Sequence, residues 1–288
     1  MQELDFYIVD VFAVGKYTGN QLAVFPSAEG LNLEQMQSIA REINFSESTF
    51  VTSAPQDQAY PVKIFTPAVE LPFAGHPTLG TAWVLRYLYP SLTTITLSYQ
   101  AGQIPVHFAD TNQTSVVWMK QRPPEFLGIL EATDLAAVLG IDVNDIDLSY
   151  PIEQVSTGLP FIIVPLKTLA AVQKAKLELT KYYQLIDQLL AQNILIFCPQ
   201  TLNTENDLHV RVFTHALGIP EDPATGSANG CLAAYLVHHG YEDQKSIDLR
   251  VEQGYSIDRP SLLYLQADDT SVCVGGQVDL VAKGYWYA

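Results

Sequence analysis

The sequence predicts an α+β protein built from two similar units, each a curved β-sheet wrapped around a central helix. Three observations carry that expectation. Strand-like segments rich in β-branched and aromatic residues recur along the whole chain. Two helix candidates, TLGTAWVLRYL (78–88) and ANGCLAAYLV (228–237), are apolar almost all the way round, and a helix of that kind has to be enclosed. One such helix falls in each half, and curving a sheet around it is the natural enclosure in a strand-rich chain.

The elements read in order as follows. FYIVDVF (6–12) is the first strand segment. Asn32 then caps a helix with Gln35 three residues on, and Leu33, Met36, Ile39, Ala40 and Ile43 form its apolar face. SESTFVT (46–52), VKIFT (62–66), the enclosed helix at 78–88, TITLSY (94–99) and SVVWMK (115–120) complete the first half. RPPEFL (122–127) interrupts the pattern with two prolines and marks a boundary. The expected domains are therefore 1–122 and 123–288, with the last strand free to return to the first. FIIVPL (161–166), an amphipathic helix from about 179 to 192, ILIF (194–197), HVRVFT (209–214), the second enclosed helix and SLLYL (261–265) follow.

The halves echo each other before their enclosed helices. Phe65-Thr66, Pro72 and Ala74-Gly75-His76 in the first correspond to Phe213-Thr214, Pro220 and Thr225-Gly226-Ser227 in the second. That echo reads as a remnant of duplication.

Composition narrows the function. Fifteen Lys and Arg stand against 31 Asp and Glu, a formal charge of −16, which repels nucleic-acid phosphates and anionic lipid. No apolar run reaches the roughly 20 residues that span a bilayer, and MQELDFYIVD lacks a basic signal-like start. A cytoplasmic protein with neither nucleic-acid nor membrane partners is expected. Cys198, Cys231 and Cys273 are too scattered for a disulfide framework or zinc site, and Cys231 reads as a small core residue. Thr81 stands where a phosphate-binding loop needs Lys, and no G-x-G-x-x-G, G-x-S-x-G or H-E-x-x-H motif occurs.

Four places could carry chemistry. Gly75 and Gly226 each precede an enclosed helix, whose first N–H groups point outward and favour an anion such as a carboxylate. The plainer alternative is a pair of tight turns, with Thr225 or Ser227 as a simple cap. Strand alternation puts Glu47 on one face with Phe45, Thr49 and Val51. If that face is inward, burial raises the carboxyl toward the range of a carbon-acid base; otherwise Glu47 is an exposed or paired strand residue. His76 could donate to substrate or relay a proton, or simply bond backbone near a cap. Asp222 heads Asp-Pro-Ala-Thr-Gly-Ser and could equally initiate a turn.

Taken together, IVDVFAVGKYTGNQLAVF (8–25), INFSESTFV (43–51), IFTPAVELPFAGHPTLG (64–80) and EDPATGSANG (221–230), with EQG (252–254), RPS (259–261) and VGG (274–276), resemble the successive signature blocks of the PhzF-like family of phenazine biosynthesis. The resemblance implies the diaminopimelate-epimerase-like fold, with a cofactor-free and metal-free isomerase acting on a small unsaturated carboxylic acid between two domains. It implies Glu47 as acid/base and His76, Asp222 and Ser227 as its polar companions. Backbone groups around Gly75 and Gly226, with Asn20 and Thr225, would bind substrate, and the family pattern implies a homodimer. Gln21 departs from the proline many members carry after Gly19-Asn20. Epimerases of this fold carry a thiol before each glycine, where this chain has Ala74 and Thr225. One carboxylate without two thiols points to a double-bond shift on one face of the substrate. A lyase or epimerase on the same fold, or a non-catalytic acid-binding protein, are the alternatives.

Overall fold

A helix with no polar face is stable only where other elements cover it on every side, and both apolar helices are so covered. The structure is a computed structural model and describes residues 2–110 and 115–288. The chain divides into two compact units, Met1–Lys120 with Gly275–Ala288, and Gln121–Val274.

The first unit contains β1 (Glu3–Val11), β2 (Asn20–Phe25), α1 (Leu33–Ile43), β3 (Glu47–Val51), β4 (Ala59–Phe65), β5 (Glu70–Leu71), α2 (Gly75–Leu88), β6 (Thr94–Tyr99), β7 (Gly102–Asp110) and β8 (Ser115–Lys120). The C-terminal strand Val278–Tyr287 pairs antiparallel with β1. From there the pairing runs β1 to β2 antiparallel, β2 to β3 parallel, β3 to β4 antiparallel, β4 to β6 parallel, then β6 to β7 to β8 antiparallel. Helix α2 packs against β1, β2, β3, β6, β7, β8 and the C-terminal strand. Its first eight residues are all buried. Gly80 permits the closest approach, since a Cβ there would lie 2.5 Å from Leu22 Cδ2 and 2.9 Å from Val11 Cγ2.

Outside this sheet, α1 carries the expected capping box. Gln35 N donates to Asn32 Oδ1 at 2.9 Å and Asn32 N to Gln35 Oε1 at 3.0 Å. Met36, Ile39 and Ala40 are buried against Phe25, Phe50 and Phe65, with Phe25 and Phe50 stacked at 4.9 Å. Leu33, expected on that face, is half exposed, because it opens the helix beyond the edge of the aromatic cluster.

The second unit contains β9 (Glu125–Leu130), α3 (Ala132–Leu139), β10 (Ile152–Ser156), β11 (Pro160–Pro165), α4 (Leu169–Lys174), α5 (Leu179–Ile186), β12 (Asn193–Cys198), β13 (Leu208–Thr214), β14 (Ile219–Asp222), α6 (Gly226–His238), β15 (Ile247–Gln253) and β16 (Ser261–Ala267). The chain then passes through β17 (Val272–Gly276) into the C-terminal strand, β18. Pairing runs β9 to β10 to β11 antiparallel, β11 to β12 parallel, β12 to β13 antiparallel, β13 to β15 parallel and β15 to β16 antiparallel. That sequence of pairings repeats the first unit's, from β18 through β1, β2, β3, β4 and β6 to β7. Eleven consecutive residues of α6, Gly226 to Leu236, are buried. Helices α3, α4 and α5 cover the outer sheet face through Leu135, Val172 and Tyr182.

Three expectations need adjustment. The helix expected from about 179 to 192 stops at Ile186 and leaves Leu190 exposed, because the chain must turn before β12 begins at Asn193. The unit boundary falls at Lys120 and not at 122, and residues 275–288 join the first unit through the β1–β18 pairing, the return left open for the last strand. Strands β2, β7, β9, β10, β15 and β18 complete the sheets beyond the segments read from composition. Cys231 is fully buried, as expected, and burial pushes its thiol up to about 11. Among the described residues, no helix is long and apolar enough to cross a membrane.

Candidate active site

The first unit supplies a carboxylate and an imidazole to one spot. Glu47 opens β3, where alternation turns residues 47, 49 and 51 away from the outer aromatic cluster that holds Phe50. Thr49 on the inner face accepts a hydrogen bond from Thr81 of α2 at 2.8 Å, so Glu47 faces the central helix. Its side chain is 12% exposed. Phe45, expected on the same face, instead packs with the outer cluster, because the strand begins only at Glu47.

His76 is the second residue of α2 and is buried. Its Nε2 lies 3.5 Å from Glu47 Oε2. Burial pushes the imidazole down to about 3, partly opposed by a ring hydrogen bond to the backbone of Gln21. Nε2 makes no hydrogen bond among the described residues, so the bond to Gln21 belongs to Nδ1, which donates to that carbonyl. A neutral ring with its proton on Nδ1 turns the Nε2 lone pair toward Glu47. The substitution of Gln for Pro at position 21 leaves this untouched, since the Gln21 side chain is exposed and proline retains the carbonyl. Asn20, at the start of β2, is buried opposite Val11.

Both helices begin without a side-chain cap: Ala74 has no capping group and Thr225 makes no cap bond. The simple-cap alternative for Thr225 therefore fails. Its hydroxyl turns instead to Asp222, donating to Oδ2 at 2.5 Å. Neither Gly75 nor Gly226 has a positive φ, so each contributes a missing Cβ beside its helix's first N–H groups rather than a turn conformation. Asp222, Thr225 and Ser227 are each under 10% exposed. Arg211 fixes the approach to them with a bidentate pair to Glu221, at 2.9 and 2.7 Å, while its Nη1 bonds the carbonyls of Val172 and Ala175 at 2.9 and 2.8 Å.

Register identifies a counterpart that composition alone hides. Ser48 pairs with Phe65 and Ile194 with Phe213, the two echoing phenylalanines. Glu47 therefore corresponds to Asn193, which pairs with Phe161 as Glu47 does with Leu22. Asn193 is buried, and its Oδ1 makes no hydrogen bond among the described residues. An amide has no basic lone pair for carbon-acid chemistry. The second unit thus holds no base where the first holds Glu47. Among the described residues, no group of three or more His, Cys, Asp or Glu is placed to hold a metal.

Comparison with known proteins shows the family and the fold. The sequence model of a family described as phenazine biosynthesis-like protein matches residues 9–284. The chain is 33% identical over 291 residues to the trans-2,3-dihydro-3-hydroxyanthranilate isomerase of Pseudomonas aeruginosa, covering 98% of this chain and 99% of that one. The crystal structure of a Bacillus anthracis phenazine biosynthesis protein of the PhzF family superposes with a TM-score of 0.90 at 28% identity, over 100% of both chains. A hydroxyproline epimerase from Agrobacterium vitis, 9% identical, shares the fold at a TM-score of 0.63 over 98% of this chain and 92% of that one.

Proposed function

Since this chain belongs to the phenazine biosynthesis-like protein family and is an isomerase, we propose that it moves a proton and a double bond within a small, unsaturated, cyclic carboxylic acid, with Glu47 as the acid/base and no cofactor. One observation carries the reading: Glu47 lies 3.5 Å from the Nε2 of a buried imidazole, while its counterpart Asn193 is an amide. A single base removes and returns a proton on one face, which is a double-bond shift and not an inversion.

Each unit offers a helix start, α2 in the first and α6 in the second, whose N–H groups and dipole favour a carboxylate despite the protein's net −16. Asn20 in the first unit and Thr225 in the second are each a further polar group for substrate binding. Glu47 takes the proton from the activated carbon and becomes neutral. His76 then accepts a hydrogen bond from the Glu47 hydroxyl through Nε2 and stabilises that intermediate state. Glu47 returns the proton to a second carbon of the conjugated system. In the second unit, Asp222 and Ser227 are the groups able to orient or shuttle exchangeable protons. The relative named for trans-2,3-dihydro-3-hydroxyanthranilate makes that acid the first compound to try, and a homodimer in the cytoplasm is the working state.

Proton NMR in deuterated buffer, with trans-2,3-dihydro-3-hydroxyanthranilate and related unsaturated cyclic acids, tests the proposal. Wild type is expected to shift a double bond and incorporate deuterium, and Glu47→Gln to lose at least 10²-fold of that activity. Turnover undiminished in Glu47→Gln would remove Glu47 from the mechanism.

A further inference from the structure

A fully buried amide stands behind the second helix start, bonded to both Asp222 and Thr225. Gln253 is the last residue of β15. Its Oε1 accepts from Thr225 N at 3.3 Å and from Asn229 Nδ2 at 2.8 Å, and its Nε2 donates to the Asp222 carbonyl at 2.8 Å and to Thr225 Oγ1 at 3.1 Å. Asn229 ties the arrangement back to the helix by donating to the Thr225 carbonyl at 3.0 Å.

The polarity of this network is determined. A backbone N–H only donates and a backbone carbonyl only accepts, so Thr225 N and the Asp222 carbonyl leave one orientation for the Gln253 amide. Its NH₂ therefore faces Thr225 Oγ1. That oxygen accepts, and its own proton is left to point at Asp222 Oδ2, 2.5 Å away. One chain of donors thus runs from Gln253 through Thr225 to the Asp222 carboxylate.

Two further observations set Gln253 apart from ordinary packing. Gly254 follows it at φ +81°, and a Cβ there would sit 2.2 Å from the Arg259 carbonyl oxygen and 2.5 Å from that of Pro223, so the strand end is held against the residue after Asp222. Among the described residues, the first unit has no such amide at the corresponding place. Tyr60 pairs with Leu97 as Leu208 does with Val251, which makes Tyr99 the counterpart of Gln253. Tyr99 packs edge-on against Phe73 with centroids 6.0 Å apart. The hydrogen-bonded brace exists in the unit that contains Asp222.

We propose that Gln253 is a positioning residue of the reaction: its amide fixes the direction of the Thr225 hydroxyl proton and so presents Asp222 to the substrate as an oriented acceptor. The inference rests on the role given to Asp222 above. Gln253→Glu keeps the size but reverses the polarity, placing an acceptor against the Asp222 carbonyl and drawing the Thr225 proton away from Asp222. Gln253→Leu removes the brace altogether.

Two measurements on the full chain test it. With trans-2,3-dihydro-3-hydroxyanthranilate as probe, Gln253→Glu is expected to lose at least tenfold in kcat with KM changed less than threefold, and its thermal midpoint should stay close to that of Gln253→Leu. Equal losses through KM, or unchanged kinetics, would overturn the positioning role. Independently of turnover, NMR of the wild type should show the Thr225 hydroxyl proton as a slowly exchanging resonance with contacts to Asp222, lost in both variants. The same resonance persisting in Gln253→Glu overturns the proposal even if wild type proves inert toward the probe, an outcome that by itself would count against the substrate reading instead.

Discussion

Acid stability should expose His76 directly. Burial holds its folded-state value at about 3, against 6.5 for an unperturbed imidazole. Below pH 6.5 the unfolded chain binds a proton at this position that the folded chain refuses until about pH 3. The stability His76 contributes is therefore fully present above pH 6.5 and declines as pH falls through that window. Between pH 6.5 and 4.5, two units at about 1.36 kcal/mol each make a loss of about 2.7 kcal/mol. The perturbation is His76→Asn or His76→Gln, neither of which titrates. Urea unfolding from pH 7.5 to 4.5 is the assay, and tryptophan fluorescence is a suitable probe because Trp83, Trp118 and Trp286 all lie in the first unit with His76. Wild type should lose about 2.7 kcal/mol relative to either variant across the range. A difference that stays flat would mean that His76 takes up no proton on unfolding, and the neutral, Nδ1-protonated ring facing Glu47 would have to be abandoned.

Other perturbations have equally definite outcomes. Gly254→Ala forces a side chain into a left-handed conformation against two carbonyl oxygens, and should lower stability by more than about 1 kcal/mol, read as a lower thermal midpoint. Gly80→Ala drives a methyl into Leu22 and Val11 where α2 meets β1 and β2, an overpacking expected to cost about 1–3 kcal/mol in urea unfolding. Glu252 is fully buried and accepts from Asn203 N at 3.1 Å, Asn206 Nδ2 at 2.9 Å, Leu202 N at 2.5 Å and His209 Nδ1 at 2.7 Å. Glu252→Ala orphans all four, so a loss of about 3–5 kcal/mol is expected, with faster amide exchange at Leu202 and Asn203.

Features that act through local pattern were legible in the sequence. The enclosed helices announce themselves because residues such as Leu79, Val84, Leu232 and Leu236 leave no polar face, and the inward face of β3 follows from a period of two. The two helix starts are visible because glycine precedes each apolar run. Features that depend on pairing between distant segments were not. Asn193 as the counterpart of Glu47 follows only from strand register, and although a return of the last strand was open, its partner β1 and its register were not. Gln253 lies inside the EQG block of the family resemblance, but that block assigns it no role. A single glutamine between a strand and a glycine is unremarkable until its four partners converge on it. The exposed Leu33 and the early end of α5 show the reverse case, where good helical spacing ran past the edge of the surface available to cover it.

The pairing of β18 with β1 also reverses the order in which the chain is able to mature during synthesis. Domains usually form from the N-terminus as the ribosome releases them. Here residues 121–274 are continuous and have all their strands once they emerge, whereas β1 waits for residues 278–287 before its outer edge is paired. Of the two units, the one begun first is thus the last to be completed. Until then it presents an open strand edge with Tyr7 and Val9 beside it, the kind of surface on which nascent chains aggregate and chaperones act.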